Sequence, residues 1–124
     1  MICEIPIKIE SVANKREHWS EKYKREKTQK LAIKLNIKVL ISGVVLPVKI
    51  KLIRVAPRFL DYDNLVSACK HIVDVLADML KPGLAPGRAD SDKDMTFVYE
   101  QRKGIPKEYK LVIEIVEDEA VRLL

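Results

Sequence analysis

Residues 64–81 place an apolar side chain at nearly every position that would face one side of a helix. Leu65, Cys69, Ile72, Leu76 and Leu80 recur at helical spacing, with Val66 and Val73 beside them. A stripe this wide has to be covered, so the helix predicted over 64–81 must pack on another apolar surface. Ser67, Lys70, His71, Asp74, Asp78 and Lys81 fall on its polar side. The cover is found in segments with a period of two. Residues 46–56 alternate Val48, Ile50 and Leu52 with Lys49 and Lys51, then become apolar on both faces at Leu52, Ile53 and Val55. That change predicts a strand entering the centre of a sheet. Residues 3–9 alternate Ile5, Ile7 and Ile9 against Lys8. Pro6 lacks an N–H to give to a neighbour, which predicts an edge strand there.

Residues 14–41 contain neither proline nor glycine and are rich in Lys, Glu, Gln and Leu. A long helix is predicted, with Trp19 and Tyr23 packing against the sheet and stacking on bases as the alternative. Residues 82–94 read as a loop from their Pro, Gly and Asp content, and two more strands are predicted near 95–103 and 109–117. The order β-α-β-α-β-β describes an α+β fold, with a mixed or antiparallel sheet and two helices. At 124 residues the whole chain, 1–124, is expected to form a single small domain.

Apolar residues make up 48% of the chain and charged residues 33%, the composition of a folded protein and not of a disordered one. The net charge of +5 is compatible with a nucleic-acid partner but does not require one. Cys3 and Cys69 have no CxxC or Cys/His spacing, so a zinc site is not expected, and two reduced, buried thiols are. No window approaches the roughly 20 apolar residues that span a bilayer. No secretory signal pattern opens the chain. A cytoplasmic protein without a membrane partner is the expectation.

Two acidic clusters carry the chemistry. Asp61-Tyr62-Asp63-Asn64 joins the central strand to the second helix, and Asp90-Ser91-Asp92-Lys93-Asp94 precedes the third strand. In an extended segment Asp61 and Asp63 would project to one side, with Asp63 or Asn64 as the helix N-cap. If the clusters converge, like charges at ~4 Å repel by several kcal/mol unless a cation lies between them. Mg²⁺ is held by carboxylates, water and phosphate oxygens, the arrangement that phosphodiester cleavage needs. The plainer alternative makes the first cluster a cap and the second a turn. Lys70 is two helical turns beyond Asp63 and can share its face. It is either a surface partner of Asp74 or a charge beside a scissile phosphate. The basic residues of 15–34, with Lys49, Lys51, Arg54 and Arg58, are candidate phosphate contacts; a solvated face is the alternative. His18 and His71 are too few for a histidine metal site, and a solvated His71 is expected.

Several of these spacings occur together in one known family. Asp61-Tyr62-Asp63-Asn64-Leu65, Lys70, Asp74, Ala77-Asp78, Leu80, Asp90-Ser91-Asp92 and Phe97-Val98-Tyr99-Glu100-Gln101-Arg102-Lys103 resemble the RusA family of Holliday-junction resolvases. Asn14, His18 and Trp19 ahead of a basic stretch resemble its phage-type branch. The chain departs from the pattern with Ala89 before Asp90, Phe97 in place of Trp, and a longer loop over 81–88. The resemblance implies a homodimeric, Mg²⁺-dependent endodeoxyribonuclease, with Mn²⁺ able to substitute. Bacterial or phage-encoded, it nicks opposing strands of four-way DNA in recombination and repair. It implies Asp61, Asp63 and Asp90 as the essential acids, Asp92 as the alternative third ligand, and Lys70 as the catalytic lysine. The phosphate contacts expected on this basis are Lys15, Arg16, Lys22, Arg25, Arg58 and Lys103. A non-catalytic branched-DNA-binding module and a fork or flap nuclease remain as alternatives.

Overall fold

The computed structural model describes residues 2–10, 19–83 and 92–117. The elements run β1 (Ile2–Ile5), α1 (Trp19–Ser42), β2 (Val48–Ala56), α2 (Tyr62–Leu80), β3 (Met95–Lys103) and β4 (Lys110–Glu117). The order is the one the sequence predicts, and the domain is α+β. The four strands form one mixed sheet in the order β1-β4-β2-β3. β2 pairs antiparallel with β4 on one side and parallel with β3 on the other. β1 lies at the edge, as Pro6 predicts, although regular pairing stops at Ile5. Ile7 and Ile9 continue inward beyond the strand and are buried.

The alternation in β2 sorts its side chains between two faces. Val48, Ile50 and Leu52 join Leu111, Ile113 and Ile115 of β4 beneath both helices. Ile53 and Val55 meet Val112 in a smaller cluster on the other face, which explains why β2 turns apolar on both sides. α2 supplies Leu65, Cys69, Ile72, Val73 and Leu76 to the main core, so its stripe is covered as expected. α1 contributes Ile33, Ile37 and Ile41 at four-residue spacing, with Gln29 one turn earlier. Each fully buried Leu or Ile contributes about 1.5–3 kcal/mol over leaving it in water. Trp19 and Tyr23 do not pack against the sheet: they are 75% and 61% exposed. They lie at the start of α1, about three and two turns before the buried row begins at Gln29. Among the described residues, no helix is long and apolar enough to cross a membrane.

Ile72 is fully buried at the centre of the α2 stripe. Ile72→Ala is expected to cost about 2–5 kcal/mol in urea-unfolding measurements, and Ser67→Ala on the exposed side within about 0.5 kcal/mol.

Candidate active site

β2 ends at Ala56, and the chain reaches α2 through Pro57-Arg58-Phe59-Leu60-Asp61. Asp61 occupies the N-cap (φ −59°, ψ 151°), and its carbonyl accepts the Leu65 N–H at 2.9 Å. This corrects the placing of the cap at Asp63 or Asn64, both of which lie inside the first helical turn. It also corrects the extended geometry assumed for Asp61 and Asp63, since the helix starts between them. An N-cap aspartate ordinarily accepts a hydrogen bond from the N–H groups of the first turn. Asp61 makes no such side-chain bond. The carboxylates of Asp61 and Asp63 are exposed, and neither has a side-chain partner among the described residues. Between them, the Tyr62 ring stands edge-on to Tyr99 of β3, with centroids 6.4 Å apart.

Two side chains hold the connection. Gln101 of β3 accepts the Leu60 N–H at 2.8 Å and donates to the Leu60 carbonyl at 2.8 Å. Arg54 of β2 donates to the carbonyls of Ile9 at 2.8 Å and Arg58 at 2.7 Å, and to Gln101 Oε1 at 3.2 Å. Arg54 is 6% exposed, so the expectation that it contacts phosphate is corrected. Burial pulls its guanidinium below the usual pKa. It shares strand parity with Val48, Ile50 and Leu52, which could have suggested that it points inward. Gln101 was visible only as a letter in the family pattern.

The second acidic cluster lies elsewhere. The parallel register sets Val48 beside Met95 and Ala56 beside Lys103. Asp61 therefore follows the far end of β2, whereas Asp92 precedes the near end of β3. α2 spans the same interval, about 28 Å at helical rise. Lys81, just past its last turn, donates to Asp92 at 2.9 Å and to Asp94 at 3.0 Å. Asp92 is only 7% exposed at its side chain, and it also accepts the Asp94 N–H at 2.8 Å. The Lys81 ammonium, then the Asp94 N–H, hold the Asp92 carboxyl below its ordinary pKa, and the same two carboxylates raise that of Lys81. The structure thus corrects Asp92 as a partner of Asp61 and Asp63: lysine compensates its charge. Asp90 lies outside the described residues. Among the described residues, no group of three or more His, Cys, Asp or Glu side chains could hold a metal ion. A cleft of about 410 Å³ is lined by Tyr62, Val66, Phe97, Tyr99 and Asp92.

A second cleft, of about 260 Å³, lies between the helices. It brings together Lys22, Arg25 and Lys30 of α1 with Ser67, Lys70 and His71 of α2, against Glu10, Glu26 and Asp74. Lys70 is exposed, and helical periodicity sets it on the face of Asp63, about 10 Å along the axis. His71 is not solvated as expected. It is half-buried and bonded through Nε2 to Gln29 Oε1, while Gln29 Nε2 donates to the Lys8 carbonyl at 2.8 Å. Because Gln29 Oε1 only accepts, His71 Nε2 carries a proton. Burial pulls the His71 pKa below its ordinary value. Arg58 and Lys103 are exposed at the sheet end that carries Asp61; Lys15, Arg16 and His18 lie outside the described residues. Cys69 is buried, as expected, and burial pushes its thiol up to about 12; Cys3 is half-buried. No family model and no curated protein matches the chain.

Two exposed carboxylates at the N-terminus of α2, without a side-chain partner among the described residues, are a donor set that suits a hard divalent cation. Mg²⁺ commonly takes one or two carboxylates and completes its shell with water and phosphate oxygens. Asp92 fits less well, because its charge is already neutralised.

The Asp92–Lys81 pair makes a pH-dependent contribution. Its folded carboxyl pKa lies below the unfolded value of about 3.9, so the stabilisation is present above that pH and lost as pH falls through the folded pKa. Urea unfolding is expected to show wild type more stable than Lys81→Met at pH 6. The difference closes as the pH is lowered below the ordinary aspartate range.

Proposed function

We propose that the chain is a Mg²⁺-dependent, structure-specific endodeoxyribonuclease of the RusA type that nicks four-way DNA as a homodimer. The observation that carries this reading is the pair Asp61 and Asp63. Their carboxylates are exposed and have no side-chain partner among the described residues, and Asp61 holds the N-cap without using its carboxylate as a cap. A capping hydrogen bond, the plainer role for D-x-D-N, is not made by that carboxylate, although the helix dipole still favours a negative charge there. The cleft beside the same helix, where Lys22, Arg25, Lys30 and Lys70 stand among three carboxylates, and the family spacings from Asp61 to Lys103 support the same reading.

Asp61 and Asp63 would hold the metal, with water and phosphate oxygens completing its shell; Asp90, which the resemblance implies as a further acid, lies outside the described residues. The metal would supply Lewis-acid polarisation of the phosphate and a bound water of lowered pKa. Lys70 presents an ammonium on the Asp63 face of α2, suited to negative charge that develops on a phosphate. Lys22 and Arg25 extend that positive surface across the cleft, and Arg58 and Lys103 add charge near Asp61. With Lys15 and Arg16 they are the proposed phosphate contacts. Each phosphate neutralised adds about −0.9 to the log–log salt slope on duplex DNA. A two-fold junction matches a homodimer with two equivalent sites. The proposed setting is the cytoplasm of a bacterium, during recombination and repair.

One observation favours a second reading, a branched-DNA-binding module without catalysis. Lys81 neutralises Asp92 and Asp94, and no three acids gather among the described residues.

Cleavage and gel-shift assays on synthetic junctions, forks, flaps and duplex at matched salt separate these readings. Asp63→Asn is expected to abolish Mg²⁺-dependent junction cleavage while junction binding persists. Full cleavage by that variant removes Asp63 from the site. Tight junction binding by a wild type that cuts none of these DNAs establishes the second reading.

A further inference from the structure

We propose that Gln101 is a positioning residue for the Asp61 carboxylate and that Arg54 fixes Gln101; the inference rests on Asp61 being a metal ligand, as proposed above. The Gln101 amide takes both main-chain groups of Leu60, the residue before Asp61. The Leu60 carbonyl belongs to the peptide plane that ends at the Asp61 Cα, so bonding it fixes the plane from which the Asp61 side chain departs. Among the described residues, no backbone–backbone hydrogen bond involves residues 57–60. The side chains of Gln101 and Arg54 tie this connection to the sheet.

The amide has one workable orientation. Oε1 accepts from the Leu60 N–H and from Arg54 Nη1, and a flipped amide would set its NH₂ against both donors. Arg54 and Gln101 are register partners on the adjacent parallel strands β2 and β3. Arg54 also bonds the carbonyls of Ile9 and Arg58. One buried guanidinium thereby links the chain after β1, the connection after β2 and the amide that holds Leu60. Groups that orient a ligand in this way typically change metal affinity about 10- to 100-fold when removed.

The test uses the whole chain. Mn²⁺ binding is followed by electron paramagnetic resonance without DNA, alongside the Mg²⁺ dependence of junction cleavage, with circular dichroism as the check on folding. Gln101→Met is expected to bind Mn²⁺ about 10- to 100-fold more weakly and to need correspondingly more Mg²⁺ for half-maximal cleavage. Junction binding in EDTA is expected to stay at the wild-type level. Gln101→Glu keeps an acceptor for the Leu60 N–H and Arg54 but loses the donor to the Leu60 carbonyl, and is expected to fall between the two. A glutamine needed for folding alone lowers the unfolding midpoint and leaves the metal affinity of the folded protein unchanged. Wild-type Mn²⁺ affinity in folded Gln101→Met overturns the proposal and leaves Asp61 as a ligand. Should that variant not fold, wild-type affinity in Gln101→Glu overturns it equally. If Asp61→Asn binds Mn²⁺ as the wild type does, the underlying reading falls first, and the proposal with it.

Discussion

The parallel pairing of β2 with β3 governs the arrangement of everything else. Two neighbouring strands that run the same way need a crossover, and α2 is that crossover. It must leave from the far end of β2 and return to the near end of β3. Asp61 is thereby set at one end of the sheet, and the Asp92–Lys81–Asp94 group at the other. The apolar stripe of α2 makes the crossover favourable, because covering Val48, Ile50, Leu52 and the inner face of β4 removes both surfaces from water. Ligands of open sheets with parallel strands tend to bind beyond the carboxyl ends of those strands. That is where the connection from β2 presents Asp61, with Arg58 and Lys103 nearby.

Much of the fold was legible because it depends on periodicity. The alternation of Ile5, Ile7 and Ile9, the two-faced end of β2 and the stripe from Leu65 to Leu76 each report which side is covered, and all three proved correct. Strand direction leaves no such mark. A parallel and an antiparallel β3 bury the same residues of Met95–Lys103, so the sequence could not show that Asp92 and Asp94 lie at the other end of the sheet from Asp61. The cap was misplaced for a related reason: Asp61, Asp63 and Asn64 are all good caps, and only the backbone decides among them. Trp19 and Tyr23 were misjudged because aromatic size favours burial, whereas the buried row of α1 begins later, at Gln29.

The charged residues divide by what surrounds them. Arg54 looks like its surface neighbours Lys49 and Lys51 but has the parity of the core, and satisfies its donors with three oxygen acceptors. Lys81 looks like one more lysine on a polar helix face, yet it binds two carboxylates. Lys22, Arg25 and Lys70 line a cleft with Glu10, Glu26 and Asp74 beside α2, the helix whose N-terminus carries Asp61 and Asp63. Of the candidate site, Asp61, Asp63 and Lys70, all three left exposed by the structure, were legible from spacing as candidates. The clamp of Gln101 on Leu60 was not, because it joins residues 41 apart through main-chain groups that carry no sequence signal.

The most direct test of the account is an anomalous difference map from a crystal soaked in Mn²⁺. The account predicts a peak within coordination distance of the Asp61 and Asp63 carboxylates, with the Gln101–Leu60 bonds intact. A peak that displaces Lys81 from Asp92 and Asp94, with none at Asp61, would contradict it.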